Sequence, residues 1–407
     1  MRFADRMERM KNKALLNALD LAERNDLISF AGGFPSTETY PMEAIRASFF
    51  EVLNEDPEGA LSYGSTKGDP KLREQIAARM CKNYGIQANR EDIIVTNGSQ
   101  QALDLTGLLL INKGDAVIFE SPSYLGALNA LKSYEPEMVA ASVDEEGISL
   151  ASLREIMEDY GERVKLIYVI PDFQNPTGRS WSEARRREFM ELVQEYDVAI
   201  LEDAAYSELG FEGEKRTPLA ALDRNGQVIH CGTFSKVFCP GIRVGWIYTV
   251  PQLIEPYLIL KNNVDLSSAA IIQRQMANYL EHNDFDAHVD EIRALYRTRR
   301  DAMAEALRDE MPEGVRWEVP QGGLFFWIRL PEQADADTLL QKALDAGVAF
   351  IPGQGFYPHG ERKNEFRMNF SSLSPETIRE GVRRLGGVLR TVPEVFCTSD
   401  EKRVEKN

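Results

Sequence analysis

Four cysteines and four histidines in 407 residues leave little for metal or disulfide chemistry. Cys81, Cys231, Cys239 and Cys397 show no C-x-x-C spacing, and His230, His282, His288 and His359 show no metal-ligand spacing. That pattern argues against a disulfide framework and against zinc, and for thiols kept reduced in a cytosol. A positive excess is also missing: Lys and Arg number 47 against 64 Asp and Glu, a net charge of −17. Such a balance argues against a nucleic-acid surface, so any anion site has to be a local basic pocket. No apolar run reaches membrane length, and the opening MRFADRMERMKNK has no signal-type hydrophobic region. Internal repeats and low-complexity linkers are absent as well. The expectation is a cytoplasmic protein with neither membrane nor nucleic acid as partner.

What is there is an ordinary globular balance, 43% hydrophobic and 27% charged, over a length too great for one compact core. From Asp92 onward, apolar runs alternate with helical stretches. The runs are Ile93–Thr96, Ala116–Glu120, Met138–Val143, Leu166–Ile170, Val198–Leu201, Val228–Cys231 and Val244–Thr249. Ser182–Tyr196 is the clearest helix, with Phe189, Leu192, Val193 and Tyr196 on one face. Seven strands with crossovers predict an α/β fold, a mostly parallel sheet with helices on both faces. Ligands in such sheets lie beyond the carboxyl ends of the strands.

The ends of the chain read differently. Residues 1–28 are charged, with Leu15, Leu16, Leu19 and Leu21 at helical spacing, and Asp69-Pro70 marks a helix start after the loop LSYGSTKGDP. A long amphipathic stretch, Phe285–Met311, leads to predicted strands at Val315–Val319, Gly323–Leu330, Ala349–Ile351 and Phe366–Phe370. Helices are expected at Asp337–Ala346 and at Pro375–Arg390, the latter capped by Ser374. The division read from this is a large domain over 46–285, a smaller α+β unit of 1–45 with 286–395, and a charged tail at 396–407.

The stretch TFSKVFCPGIRVGW, Thr233–Trp246, carries the strongest chemical signal. It follows an apolar strand and offers the Lys236 amine, the hydroxyls of Thr233 and Ser235, and the Arg243 guanidinium. A desolvated amine is a nucleophile toward carbonyls, and hydroxyls beside an arginine suit a phosphate. Together they suit pyridoxal phosphate if the rest of its site stands elsewhere in the chain; the loop alone reads equally as a surface lysine after a buried strand. TNGSQQALD, Thr96–Asp104, runs from a strand into a helix and exposes N–H groups to an anion. PDFQNPTG holds Asn175 in a turn before Pro176. VAILEDAAYSEL ends an apolar strand on Glu202 and Asp203, where a carboxylate either needs a cation or caps the next helix. EFRMNFS sets Arg367 on an apolar strand, where it needs an anion. GQGFYPHG, Gly353–Gly360, has the glycines of a dinucleotide loop but no helix-opening pattern, and Pro358 speaks against it.

These stretches, with ISFAGGFP, LSYGSTKGDPKLRE, ESPSY, QGGLFFW and FRMNFSSLSPETIREGV, resemble the fold-type-I pyridoxal phosphate aminotransferases of class I/II. The likeness runs from Ser29 to Arg390 and is strongest to the 2-aminoadipate and kynurenine aminotransferase subgroup. It implies a homodimer that transfers an amino group from an L-amino acid to a 2-oxo acid, 2-oxoglutarate by expectation, in a ping-pong cycle. Lys236 is implied as Schiff-base lysine and proton shuttle. Asp203 is implied as partner of the pyridine nitrogen, with Asn175 and Tyr206 on the ring's phenolic oxygen and Tyr124 on its face. The resemblance puts Ser99, Gln100, Thr233, Ser235 and Arg243 at the phosphate, joined by Tyr63 from the neighbouring subunit. Arg367, with Asn175 and the Gly33 backbone, takes the substrate α-carboxylate. Arg24, on the segment before ISFAGG, is the candidate for an acidic substrate side chain. The resemblance also implies a cis Asn175–Pro176 bond. Where relatives carry serine, this chain has Thr233, and Ala204-Ala205 departs from their E-D-x-x-Y filling; both changes keep the chemistry. The alternatives are a pyridoxal phosphate lyase or decarboxylase on the same fold, and a regulator of the kind that carries this domain behind a winged helix, for which the segment before Ser29 is short.

Overall fold

The computed structural model describes residues 2–10, 20, 21, 24, 26–213 and 215–391. Leu15, Leu16, Leu19, Cys397 and the tail at 396–407 lie outside them.

A first short strand, β1 (Ile28–Ser29), precedes the large sheet. That sheet is built from β2 (Ile93–Asn97), β3 (Ala116–Ser121), β4 (Glu137–Ser142), β5 (Val164–Val169), β6 (Ala199–Asp203), β7 (Val228–Thr233) and β8 (Val244–Tyr248). Their spatial order is β2-β8-β7-β6-β5-β3-β4, and only β8 runs antiparallel to its neighbours. All seven apolar runs of the sequence become these strands. β7 is buried along its length and β5 from Leu166 on, which is why they read as continuous apolar runs without alternation. The parallel strands end together, so Asn97, Asp203 and Thr233 come out at one edge.

Local signals set the helices. Asp69 accepts the Leu72 N–H at 3.0 Å and starts the helix Pro70–Tyr84, which stops at Gly85 with φ 69°. Ser374 accepts the Thr377 N–H at 3.2 Å and starts Pro375–Arg390. The long helix Phe285–Glu310 packs along Pro375–Arg390.

Between these two helices in sequence lies a four-stranded antiparallel sheet of β9 (Arg316–Trp317), β10 (Phe325–Arg329), β12 (Ile351–Pro352) and β13 (Glu365–Asn369) in the order β12-β13-β10-β9. The single strand expected over 349–351 is two: β11 (Val348–Ala349) pairs in parallel with β1, and β12 pairs with β13. Phe350 lies between them, fully buried and stacked 4.3 Å from Phe366, and turns the chain from one sheet to the other. The strand expected at 315–319 shrinks to two residues, since Val319 is exposed and Pro320 has no N–H for a ladder. The expected boundary at 46 falls inside the helix Met42–Glu55, which packs against Ala270–His282.

Candidate active site

Gly98 makes the turn between β2 and the helix Ser99–Leu110. Its φ of 75° suits glycine, and an added Cβ would come within 2.2 Å of an Arg243 nitrogen. Arg243 itself stands at φ 52°, held by its guanidinium: Nη2 donates to the Asn97 carbonyl at 3.2 Å, and Nη1 approaches Ser235 Oγ at 3.4 Å. Thr233 Oγ1 lies 2.9 Å from Ser235 Oγ and accepts the Ser235 N–H at 3.1 Å. A guanidinium with no carboxylate partner among the described residues, two hydroxyls and the open start of a helix therefore face one small volume. Gln100, at that helix start, donates its side-chain amide to the Gly126 carbonyl at 3.2 Å, beside Tyr124.

Asp203 ends β6 with its carboxylate buried. Oδ2 accepts from the Tyr168 hydroxyl at 2.9 Å and Oδ1 from the Ala205 N–H at 3.2 Å. Burial pushes the group above the usual carboxylate range, against the pull of those two donors. Among the described residues no lysine or arginine is in salt-bridge contact with it.

Lys236 follows β7 in the turn. Its Nζ donates to the Gly33 carbonyl at 2.8 Å and lies 5.9 Å from the Tyr206 ring centre. Burial first, and then the charges of Arg367 and Arg243, push the amine down to about 8. Asn175 Nδ2 donates to the Tyr206 hydroxyl at 3.1 Å, and the Asn175–Pro176 bond is cis as expected. The Tyr124 phenol, at the head of the helix Leu125–Lys132, is pushed up to about 12 by burial and by the Asp203 charge.

Arg367 closes the pocket from β13. Nη1 donates to Asn175 Oδ1 at 2.9 Å and Nη2 to the Ala31 carbonyl at 2.8 Å, with Phe325 4.2 Å beneath the guanidinium. Among the described residues its buried Nε has no partner and no carboxylate is in contact, and burial lowers the group to about 10. Such a cation calls for an anion.

Two expected residues stand apart. Tyr63 is 89% exposed on the surface of the chain. Arg24 is exposed and its Nε donates to Asp26 at 3.0 Å. Three residues escaped the sequence reading. Tyr168 holds Asp203; His230 holds Glu202, 2.8 Å from Nδ1 to Oε2; and Glu120 anchors the 171–178 turn, accepting from the Ile170 N–H and Trp181 Nε1. Their only sequence signal is a polar tip within an apolar strand.

The residues present fit pyridoxal phosphate on the chemistry they leave unmet. Among the described residues the buried Asp203 carboxylate has no cation in contact and the buried Arg367 guanidinium no carboxylate, while the exposed Arg243, two hydroxyls and a helix start form an anion cradle, all around one lysine amine of lowered pKa.

Comparison with known proteins agrees. Residues 25–385 match the profile "Aminotransferase class I and II". The chain is 43% identical over 391 residues to the aromatic-amino-acid aminotransferase 1 of Thermococcus litoralis, covering 95% of this chain and 94% of that one. It superposes at a TM-score of 0.91 on the multiple substrate aminotransferase of Thermococcus profundus, with 42% identity over 96% of this chain and 97% of the other. It superposes at 0.90 on the alpha-aminoadipate aminotransferase of Thermus thermophilus, complexed with N-(5'-phosphopyridoxyl)-L-leucine, with 34% identity over 97% and 98%. The chain belongs to the class I and II aminotransferases and is a pyridoxal phosphate-dependent aminotransferase.

Proposed function

We propose that the enzyme is a broad-specificity aminotransferase: glutamate or 2-aminoadipate is one amino acid, an aromatic or branched-chain amino acid the other, and 2-oxoglutarate the acceptor. The observation that carries the site reading is the buried Asp203 carboxylate and the buried Arg367 guanidinium, neither with an oppositely charged partner in contact among the described residues, on either side of Lys236. When bound, pyridoxal phosphate supplies a carbonyl for the amino group and a protonated ring that withdraws electrons from the reacting carbon. Asp203 fixes the ring nitrogen's proton, Asn175 and Tyr206 hydrogen-bond the ring oxygen, and Tyr124 packs on the ring. Ser99, Gln100, Thr233, Ser235 and Arg243 hold the phosphate. Arg367 orients the substrate α-carboxylate, with Asn175 and the Gly33 backbone beside it. Lys236 Nζ, neutral at slightly alkaline pH and facing the same space, takes the α-proton.

The functional unit on this reading is a cytoplasmic homodimer. Phe50, Leu61, Tyr63, Ile259, Val264 and Leu266 are large side chains at least half exposed, an apolar surface suited to a second copy. Tyr63 then completes the partner's phosphate site.

Names of relatives support the substrate class, since they span aromatic, 2-aminoadipate and kynurenine aminotransferases. The test is product formation from a panel of amino acids with 2-oxoglutarate, using wild type, Lys236→Ala and Arg24→Ala. Expected are turnover with both substrate types, none in Lys236→Ala, and a loss in Arg24→Ala confined to dicarboxylates. Full turnover by Lys236→Ala would overturn the site reading; equal effects of Arg24→Ala on both types would overturn the role of Arg24.

A further inference from the structure

Behind the phosphate cradle lies an ion pair of a buried lysine and a half-buried aspartate that the site described above does not include. Lys261 is fully buried on the helix Pro251–Asp265, and its Nζ donates to both Asp265 carboxylate oxygens, at 2.9 and 2.8 Å. Ser268 Oγ at 3.1 Å and Gln101 Oε1 at 3.3 Å complete its shell. Asp265 Oδ2 also accepts from Asn97 Nδ2 and from Gln101 Nε2, each at 2.7 Å. Gln101 Oε1 in turn accepts the Asn97 N–H at 2.8 Å. So both the side chain and the backbone N–H of Asn97 are fixed by this cluster. The remaining backbone group of Asn97, its carbonyl, holds Arg243.

The same cluster reaches the outer surface. Leu266, directly after Asp265, stands at φ 61° and is 50% exposed, next to exposed Val264 and Ile259. Asn262, one turn back, lies 3.4 Å from Thr66 Oγ1 in the loop that carries Tyr63. A buried ion pair contributes little net stability, since desolvation offsets attraction. Its use here is geometric: it ties the turn that aims Arg243 and the helix start to the surface assigned to the second subunit.

We propose that Asp265 and Lys261 are positioning residues of the phosphate cradle and that they couple cofactor affinity to subunit assembly. The inference rests on the cradle reading above and goes beyond it. Removing the charge of Asp265 frees Asn97 and lets Arg243 drift, so the phosphate loses its aim while the ring contacts stay. Because the cluster ends at the exposed segment 264–266, packing of a second copy on that segment also steadies the cradle.

The experiment measures dissociation constants of pyridoxal phosphate and of pyridoxal, which lacks the phosphate, by absorbance titration, with sedimentation on the same samples. The variants are Asp265→Asn, Lys261→Met/Asp265→Asn and Arg243→Ala. The double variant removes both charges, so a folded protein is retained even where the single variant leaves Lys261 unpaired. Expected is a loss of about tenfold or more for pyridoxal phosphate in both Asp265 variants, with pyridoxal within about twofold and a dimer that dissociates at higher protein concentration. An equal loss for both compounds, or none, would overturn the positioning role. An unchanged dimer would overturn the coupling. If Arg243→Ala leaves pyridoxal phosphate affinity unchanged, the cradle reading itself fails, independently of Asp265.

Discussion

Glu202 and Asp203 are adjacent on β6, and their side chains leave the sheet on opposite faces into environments of opposite kind. Glu202 accepts from the Leu219 N–H at 2.7 Å and the Ala220 N–H at 3.1 Å, and meets His230 at 2.8 Å. Burial alone would raise it, but those partners hold it below the usual range. Asp203, equally buried, has a phenol and one N–H, and stays raised. The arginines repeat the contrast. Arg186 is fully buried with Asp172 at 2.6 Å and carbonyls of Pro171 and Thr217 at 2.9 and 3.1 Å. Arg367 has carbonyl partners and an aromatic face but, among the described residues, no acid. Structural charges and charges kept for chemistry separate on this basis. In these two pairs the structural charge is matched within the chain, and the other is desolvated and left for something that arrives.

The largest effect falls on the adjacent carboxylates. Asp203→Asn should lower kcat/KM by on the order of 10³-fold with little change in melting temperature. Glu202→Gln should do the reverse, costing about 1–3 kcal/mol in urea unfolding with kinetics within a few-fold of wild type. Equal kinetic losses in the two variants would erase the distinction.

The arginine pair should behave alike on a smaller scale. Arg367→Gln should cost about 10²-fold in kcat/KM through loss of a charge-assisted carboxylate bond. Arg186→Met leaves Asp172 unpaired and should cost about 3–5 kcal/mol of stability. A normal melting temperature in Arg186→Met would show that its partners matter less than their distances suggest.

Much of this was legible in the sequence, because the signals are local. Continuous apolar runs marked the seven strands, and Asp69-Pro70 and Ser374-Pro375 marked helix starts that the backbone then uses. Lys236, Asp203, Arg243 and Arg367 were legible because each is polar within or close beside an apolar strand. What was not legible depends on register between strands distant in sequence. Tyr168 reaches Asp203 only because β5 and β6 are neighbours, and His230 meets Glu202 because the two pair directly across β6 and β7. Asp265 is farther still, 168 residues from the Asn97 it holds. The split at Phe350 needed the competing pull of two sheets, which a three-residue apolar run cannot express.

A third outcome follows from the amine. With Lys236 lowered to about 8, its neutral fraction grows as pH rises toward that value. Capture of pyridoxal phosphate by the cofactor-free enzyme should therefore quicken about tenfold per unit below pH 8 and level off above it. Stopped-flow absorbance over pH 6–10 reads this directly, and a rate still climbing at pH 10 would place the amine at an ordinary lysine value.

The smallest effect concerns two buried glutamates. Glu202 has an imidazole; Glu120 has the Ile170 N–H at 3.0 Å and Trp181 Nε1 at 2.9 Å, but no cation among the described residues, and burial raises it to about 7. The sign follows from linkage. A carboxyl whose pKa is higher in the fold than in the unfolded chain favours the fold below the unfolded value, and that contribution is lost as pH rises through the folded one. Wild type should thus lose roughly 2 kcal/mol between pH 5 and 7.5 from this group. Glu120→Gln replaces one acceptor oxygen by an amide NH2 that faces a donor, so it is less stable than wild type at pH 5. It carries no titrating charge, so the gap should narrow as pH rises. Urea midpoints of both proteins at pH 5, 6, 7 and 8 measure that gap. A gap independent of pH would mean that Glu120 is ionised throughout, matched by its two donors as fully as Glu202 is by its three partners.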